Sequence, residues 1–239
     1  MEDVESYEKF FTNKNYGLLE YRNIWLLNPR NFGTSDHHDS FDLNEMADDI
    51  KNFLDEKKLS IVTVGGHGYG AKVACAFSTQ YLERTSGVMC IEGGPIDHSY
   101  HPSFNEIRES IVKANNITLS SSSSGEVIKK LDKEIKNKRW NKILKQNLID
   151  QGSSVSWKFN MNKLAIQAKR NMSDITRWDG RYGLFPGRAF VQFASESTYI
   201  YLATNTIPFY KFFPKLEAKF PSANLNMILT ENDSDSKFT

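Results

Sequence analysis

The sequence predicts an α/β fold, a mostly parallel sheet with helices on both faces, and three observations carry that expectation. Short apolar runs rich in β-branched residues alternate with helix-period patterns, each run is bounded by turn residues or a helix pattern, and one passes through a cluster of glycines directly into a helix. A chain of 239 residues can bury a core of its own. Hydrophobic residues at 39% and charged residues at 25% are ordinary globular usage, which argues against a disordered or fibrous protein.

The first run, Arg22 to Leu27, reads as a strand. An amphipathic helix follows, with Leu43, Met46, Ile50, Phe53 and Leu54 on one face and Asp48, Asp49, Lys51 and Glu56 on the other. Asp42 with Glu45 three residues later has capping-box spacing and marks its start. Ser60 to Gly65 is the second strand, Ala71 to Leu82 the next helix and Gly87 to Glu92 the third strand. Arg188 to Phe193 and Asn224 to Leu229 complete the sheet. Between them the pattern turns polar and helical. The expected organisation is a core of residues 1–100 and 188–239 with a helical cap insertion over 101–187.

A net charge of +1 gives no bulk attraction to nucleic acid or an acidic partner, so any such contact must be local. One local candidate exists. Lys129, Lys130, Lys133, Lys136, Lys138, Arg139, Lys142 and Lys145 are opposed by only Asp132 and Glu134 in a stretch read as one short helix. The ordinary reading is a solvated helix face opposite Ile128, Leu131 and Ile135; the sharper one is an interaction patch for anionic lipid, RNA or an acidic subunit surface. The serine run Ser120 to Ser124 reads as a mobile loop tip or a phosphorylation target. The tract Ile207 to Pro214 either buries a helix against the sheet or offers aromatic anchors to a partner, burial being the favoured reading.

Cys75 and Cys90 lie in apolar runs and read as reduced, buried thiols rather than a disulfide or zinc site. Asp36, His37, His38 and Asp39, or His98 with His101, supply no full ligand set, so no metal or other cofactor is expected. No stretch of apolar residues is long enough to cross a membrane. The acidic start, with Glu2, Asp3, Glu5 and Glu8, shows no cleavable address.

The most informative segment runs from Ile61 to Lys72, a strand that turns through Gly66-His67-Gly68-Tyr69-Gly70 into a helix. Strand, tight glycine turn and helix are the context of a nucleophile elbow, in which small residues flank a strained turn that presents a hydroxyl above the sheet. Gly68 stands at the position of that hydroxyl. The same turn satisfies Gly66-x-Gly68-x-x-Ala71, a relaxed dinucleotide fingerprint, with Glu92 placed as a ribose-binding acid. A Walker loop is excluded because Lys72 is one residue out of register.

Asn28 to His37, the following helix, the glycine turn and Ile91-Glu92-Gly93-Gly94-Pro95 together resemble the α/β-hydrolase superfamily in order and spacing, and look most like the mitochondrial abhydrolase-domain esterases. Val155 to Asn160 and Phe212 to Met227 extend the likeness. The resemblance implies that Gly66, His67, Tyr69, Gly70, Arg30, Asn31 and Gly33 build the elbow and a structural turn. It places the family's serine on Gly68, its acid on Ser197 beside Glu196, and its histidine near Asp235. All five histidines precede Pro102, so the family's order of serine, acid and histidine is not met. The resemblance also implies that the first strands of the family's sheet are missing, together with a loop that supplies oxyanion donors. The resulting expectation is an incomplete, catalytically inactive α/β-hydrolase fold, a pseudoenzyme serving as a structural subunit of a mitochondrial assembly of respiratory-chain or ribosomal type. Either one of its partner subunits would supply the missing strand or the local sheet would re-pair. Two alternatives stand beside it: a serine-independent ester or thioester hydrolase using His67 and Glu196, and a dinucleotide-binding protein.

Overall fold

The computed structural model describes residues 7–8, 11–12, 19, 22–96, 102–119, 123–169, 184–194, 209–216 and 227–230. The chain divides into two compact units, one of residues 1–40 and 105–170 and one of residues 41–104 and 171–239.

The second unit carries the sheet. Helix α1, Leu43–Glu56, begins where Asp42 accepts hydrogen bonds from the backbone amides of Asn44 at 2.7 Å and Glu45 at 3.3 Å. Its apolar stripe buries Leu43, Met46, Ala47 and Leu54. Strand β1, Val62–His67, leads through the glycine turn into helix α2, Tyr69–Gln80. Every residue from Ala71 to Thr79 is buried, and α2 lies against α1, β1 and β2, the last spanning Thr85–Ile91. Ala71, Ala74 and Ala76 keep the surface of α2 low enough for such close approach.

Four described strands form a wholly parallel sheet in the order β1, β2, β5 (Arg188–Ala194) and β6 (Met227–Thr230). The register sets Gly66 opposite Cys90, Cys90 opposite Val191 and Val191 opposite Met227. Val88, Cys90, Val191 and Phe193 are buried in its centre. The helical turn 209–212 adds Phe209, whose ring meets Phe193 edge-on at 5.2 Å, and Phe212, which meets Phe213 edge-on at 4.7 Å. All three phenylalanines of this tract are buried, as its favoured reading requires.

The expected strand at Arg22 to Leu27 does not form. Residues 22–29 belong to no helix or strand, and Trp25 and Leu27 are 50% and 42% exposed. Strand propensity reflects packing between neighbours, and no described strand forms a ladder with this segment. Among the described strands β1 pairs with β2, and it alternates between half-buried and exposed residues over its first four positions.

The first unit is helical with one small hairpin. It contains α3 (Pro102–Asn115), α4 (Ser124–Glu134), α5 (Lys138–Gln146), the antiparallel pair β3 (Leu148–Asp150) and β4 (Val155–Trp157), and α6 (Met161–Lys169). The basic run read as one helix is thus two. Ile135 closes α4, and Asn137 caps α5 by accepting from the Trp140 amide at 3.0 Å. Part of the serine run also has a definite structural role: Ser123 and Glu126 exchange hydrogen bonds as a capping box that starts α4. Among the described residues no helix is long and apolar enough to cross a membrane.

Candidate functional site

The site is the turn between β1 and α2. Gly68 adopts φ 56° and ψ −113°, a conformation that L side chains rarely adopt, and its amide donates to the Ile91 carbonyl at 2.7 Å. That bond ties the turn to the end of the neighbouring strand. Two other glycines are dictated by contact. A Cβ on Gly66 would fall on the backbone of Gly70, and one on Gly93 would fall on the Gly68 carbonyl group. A Cβ on Gly68 itself would meet nothing within 4 Å, and the same holds for Gly70. The backbone therefore has the tight elbow that the sequence suggested, with open space where a side chain would project.

Tyr69 is anchored below the turn, its hydroxyl donating to the Phe41 carbonyl at 3.3 Å and lying 3.2 Å from the Met46 sulfur. His67 is the last residue of β1 and is half-buried. Lys72, one turn into α2, is 3% exposed and donates its ammonium to the Ile96 carbonyl.

Glu92, read from the sequence as an acid ending the third strand, has a buried and strained placement at this end of the sheet. Glu92 follows β2, is 6% exposed, and holds φ 48°, the left-handed region that costs a side-chain-bearing residue about 1 to 3 kcal/mol. Its amide donates to the Gln192 carbonyl at 2.9 Å. Since β1 and β2 are parallel and His67 is in register with Ile91, Glu92 and Gly68 leave their strands side by side. The available signal was the position of an acid directly after the strand that neighbours the elbow.

Cys75 and Cys90 are both fully buried and free, with their sulfurs 3.5 Å apart. Burial, together with the hydrogen bond to Cys90, pushes the Cys75 thiol well above its ordinary range, so it is a core residue with no nucleophilic character.

The Arg30 to Gly33 turn, in the other unit, is structural. Asn31 is wholly buried at φ 73°; its side chain donates to the Ser40 carbonyl at 2.8 Å and accepts from the His38 amide at 2.8 Å and from the Asn160 side chain at 3.2 Å. The Asn160 amide returns a bond to the Asn31 carbonyl at 2.9 Å. Gly33 follows at φ 58°, Phe32 bridges to Phe159, and Arg30 is half-buried at the edge of the turn. Asp39 pairs with Lys163 at 2.6 Å, and that hydrogen bond holds its carboxyl below the usual range. Among the described residues no group of three or more His, Cys, Asp or Glu side chains is placed to hold a metal ion. Ser197, Glu196, Asp235, His98 and His101 lie outside the described residues.

The family description that matches this chain, over residues 5–230, is the α/β hydrolase fold, and the chain belongs to that family. Its curated relatives include a probable alcohol acetyltransferase of Wickerhamomyces anomalus, 32% identical over 73 residues, and a probable alcohol acetyltransferase of Saccharomyces cerevisiae, 28% identical over 98 residues. These matches cover 30% and 40% of the chain but only 21% and 29% of the relatives' own lengths. Among solved structures, a marine microorganism esterase superposes with a TM-score of 0.73 at 20% identity over 92% of this chain and 80% of its own. A thermophilic esterase from Thermogutta terrifontis superposes at 0.56 with 15% identity, over 92% of this chain and 75% of its own. At such identities the structural likeness establishes the fold alone.

These findings overturn the expectation of a pseudoenzyme acting as a structural subunit. The sequence relatives are named for acetyl transfer, and the α/β-hydrolase fold is shared with esterases. That expectation rested on the family's serine, acid and histidine falling on Gly68, Ser197 and Asp235 and on the missing first strands. The turn nevertheless keeps its tight backbone, and a buried carboxylate residue stands beside it.

Proposed function

We propose that this chain processes small acyl esters or thioesters at the β1–α2 turn without a serine nucleophile. The observation that supports the reading is the open space over Gly68, held in an elbow conformation next to the buried, strained Glu92. Left-handed backbone at a side-chain-bearing residue clusters at active sites, which favours a working role for Glu92. The named activity of the relatives supports acetyl esters as the substrate class.

In this reading a water occupies the space over Gly68. Glu92 accepts one of its protons as the water oxygen bonds to the acyl carbon, and the carbonyl oxygen carries the negative charge of the tetrahedral species. Collapse breaks the carbon–oxygen or carbon–sulfur bond, and the leaving alkoxide or thiolate takes the proton back from Glu92. The products are a carboxylic acid and an alcohol or thiol. An alcohol in place of the water would give the transferase outcome by the same proton path.

The test is hydrolysis of 4-nitrophenyl acetate and an acetyl thioester by the full chain, with a fluorophosphonate probe in parallel. The expected result is turnover without covalent labelling, and a loss of about 100-fold or more in kcat/KM for Glu92→Gln at unchanged melting temperature. Hydrolysis no faster than buffer overturns the reading. Turnover that is indifferent to Glu92→Gln and falls with His67→Ala would move the base to His67.

A further inference from the structure

The two basic helices of the first unit enclose a feature that ester chemistry does not use. Between α4 and α5 lies an open hollow of about 500 Å³, lined by Asp132 of α4, by the corner residues Ile135 and Lys136 and by a stripe along α5. Lys138, Lys142 and Lys145 stand at positions i, i+4 and i+7 and so share one helical face. The structure divides the basic run: these three and Lys136 line the cavity, whereas Lys129, Lys130, Lys133 and Arg139 do not.

The walls are fastened. Val127, Leu131, Ile135 and Leu144 are buried, and the Asn141 side chain donates to the carbonyls of Leu131 at 3.0 Å and Ile135 at 3.4 Å, which close α4. The Asn137 side chain donates to Glu106 at 2.6 Å, fixing the corner to α3. Lys145 is neutralised by Asp132 at 2.5 Å. Among the described residues Lys136, Lys138 and Lys142 have no acidic partner within ion-pair distance. Lys136, Lys138 and Lys142 are therefore exposed, uncompensated cations lining one concave surface in a chain of net charge only +1.

Lys136, Lys138, Lys142 and Lys145 line one open hollow with a single carboxylate, Asp132, among them, so their mutual repulsion is only partly offset there. The volume lies within the range of small-molecule sites and is far too small to enclose a nucleic-acid helix. We infer that the α4–α5 cavity binds a small phosphorylated molecule bearing two or more phosphates. The lysines neutralise the phosphates, and Gln146 supplies an amide group beside them.

The probe is inorganic tripolyphosphate, with ATP as the organic counterpart, titrated calorimetrically into the full chain at about 50 mM salt, where surface electrostatics are not masked. Saturable 1:1 binding is expected, weakened about 10-fold or more in the double variant Lys138→Gln/Lys142→Gln and also by Lys136→Gln alone. The control variant Lys129→Gln/Lys130→Gln should change affinity less than about twofold, because its residues lie outside the cavity. Equal losses from cavity and control variants would show diffuse attraction and overturn the site. So would failure of about 1 mM tripolyphosphate to bind. Two further arms use phosphatidylserine vesicles and a single-stranded RNA oligomer: binding to either that tripolyphosphate fails to displace overturns the small-molecule assignment.

Discussion

The glycine turn of the sheet unit and the basic corner of the helical unit are both tight changes of chain direction, yet they are specified by opposite means. At the turn the geometry is set by backbone atoms so close together that only hydrogen fits on Gly66 and Gly93. At the corner it is set by side chains: an asparagine cap, an asparagine bridging two carbonyls and one ion pair. The first kind of site is intolerant of any atom added at Gly66 or Gly93, and the second should accept substitution one residue at a time. That contrast can be tested quantitatively.

The largest effect belongs to the turn. Gly66→Ala and Gly93→Ala each force a Cβ onto backbone that has no rotamer to relieve the clash, and each should cost about 3 kcal/mol or more in chemical denaturation. Gly68→Ser separates crowding from conformation. Its Cβ meets no neighbour, so only the left-handed backbone opposes it, at about 1 to 2 kcal/mol. If Gly68→Ser proves as damaging as Gly66→Ala, the space over the turn is not open and the ester reading loses its support.

An intermediate effect is expected at Asn31. It combines a left-handed backbone with full burial and three side-chain hydrogen bonds, so Asn31→Ala strands the Ser40 carbonyl and the His38 amide and should cost about 2 to 3 kcal/mol. A shift in denaturation midpoint comparable to that of an exposed lysine variant would show that the Arg30 to Gly33 turn is not a structural anchor.

The same contrast explains what was legible in the sequence. Strands β1, β2, β5 and β6 lie within a few residues of their expected spans because apolar runs between turn residues are local signals. The elbow was legible because glycine has few reasons to recur at that spacing after a strand. Arg22 to Leu27 misled because its apolar composition is that of a strand, while strand formation needs a neighbour that composition does not reveal. The basic run misled because helical spacing continues across Ile135 to Asn137; the asparagine cap was a visible but weaker signal. Glu92 was legible as an acid after a strand, but its left-handed backbone and its burial beside the turn depend on how β1 and β2 pair, which no local pattern records.

The smallest effect is the most direct test of the corner. The hydrogen bond from Lys145 holds the Asp132 carboxyl below its ordinary value, and that group is exposed. A depressed folded-state pKa stabilises the protein above the unfolded value of about 3.9, and the contribution is lost as pH falls through the lower folded value. Exposed pairs are worth little, so Asp132→Asn should barely move the melting temperature at pH 7, and that small effect should vanish once pH falls below the lowered folded value. Its consequence for the cavity is opposite in sign to that of every lysine variant. Removing Asp132 releases Lys145 as a fourth uncompensated cation, so Asp132→Asn should tighten tripolyphosphate binding by about two- to fivefold at low salt, and by less as salt is raised. Weaker binding in Asp132→Asn would mean that the ion pair shapes the cavity rather than merely occupying one of its lysines. The corner would then depend on a single contact as strictly as the glycine turn does.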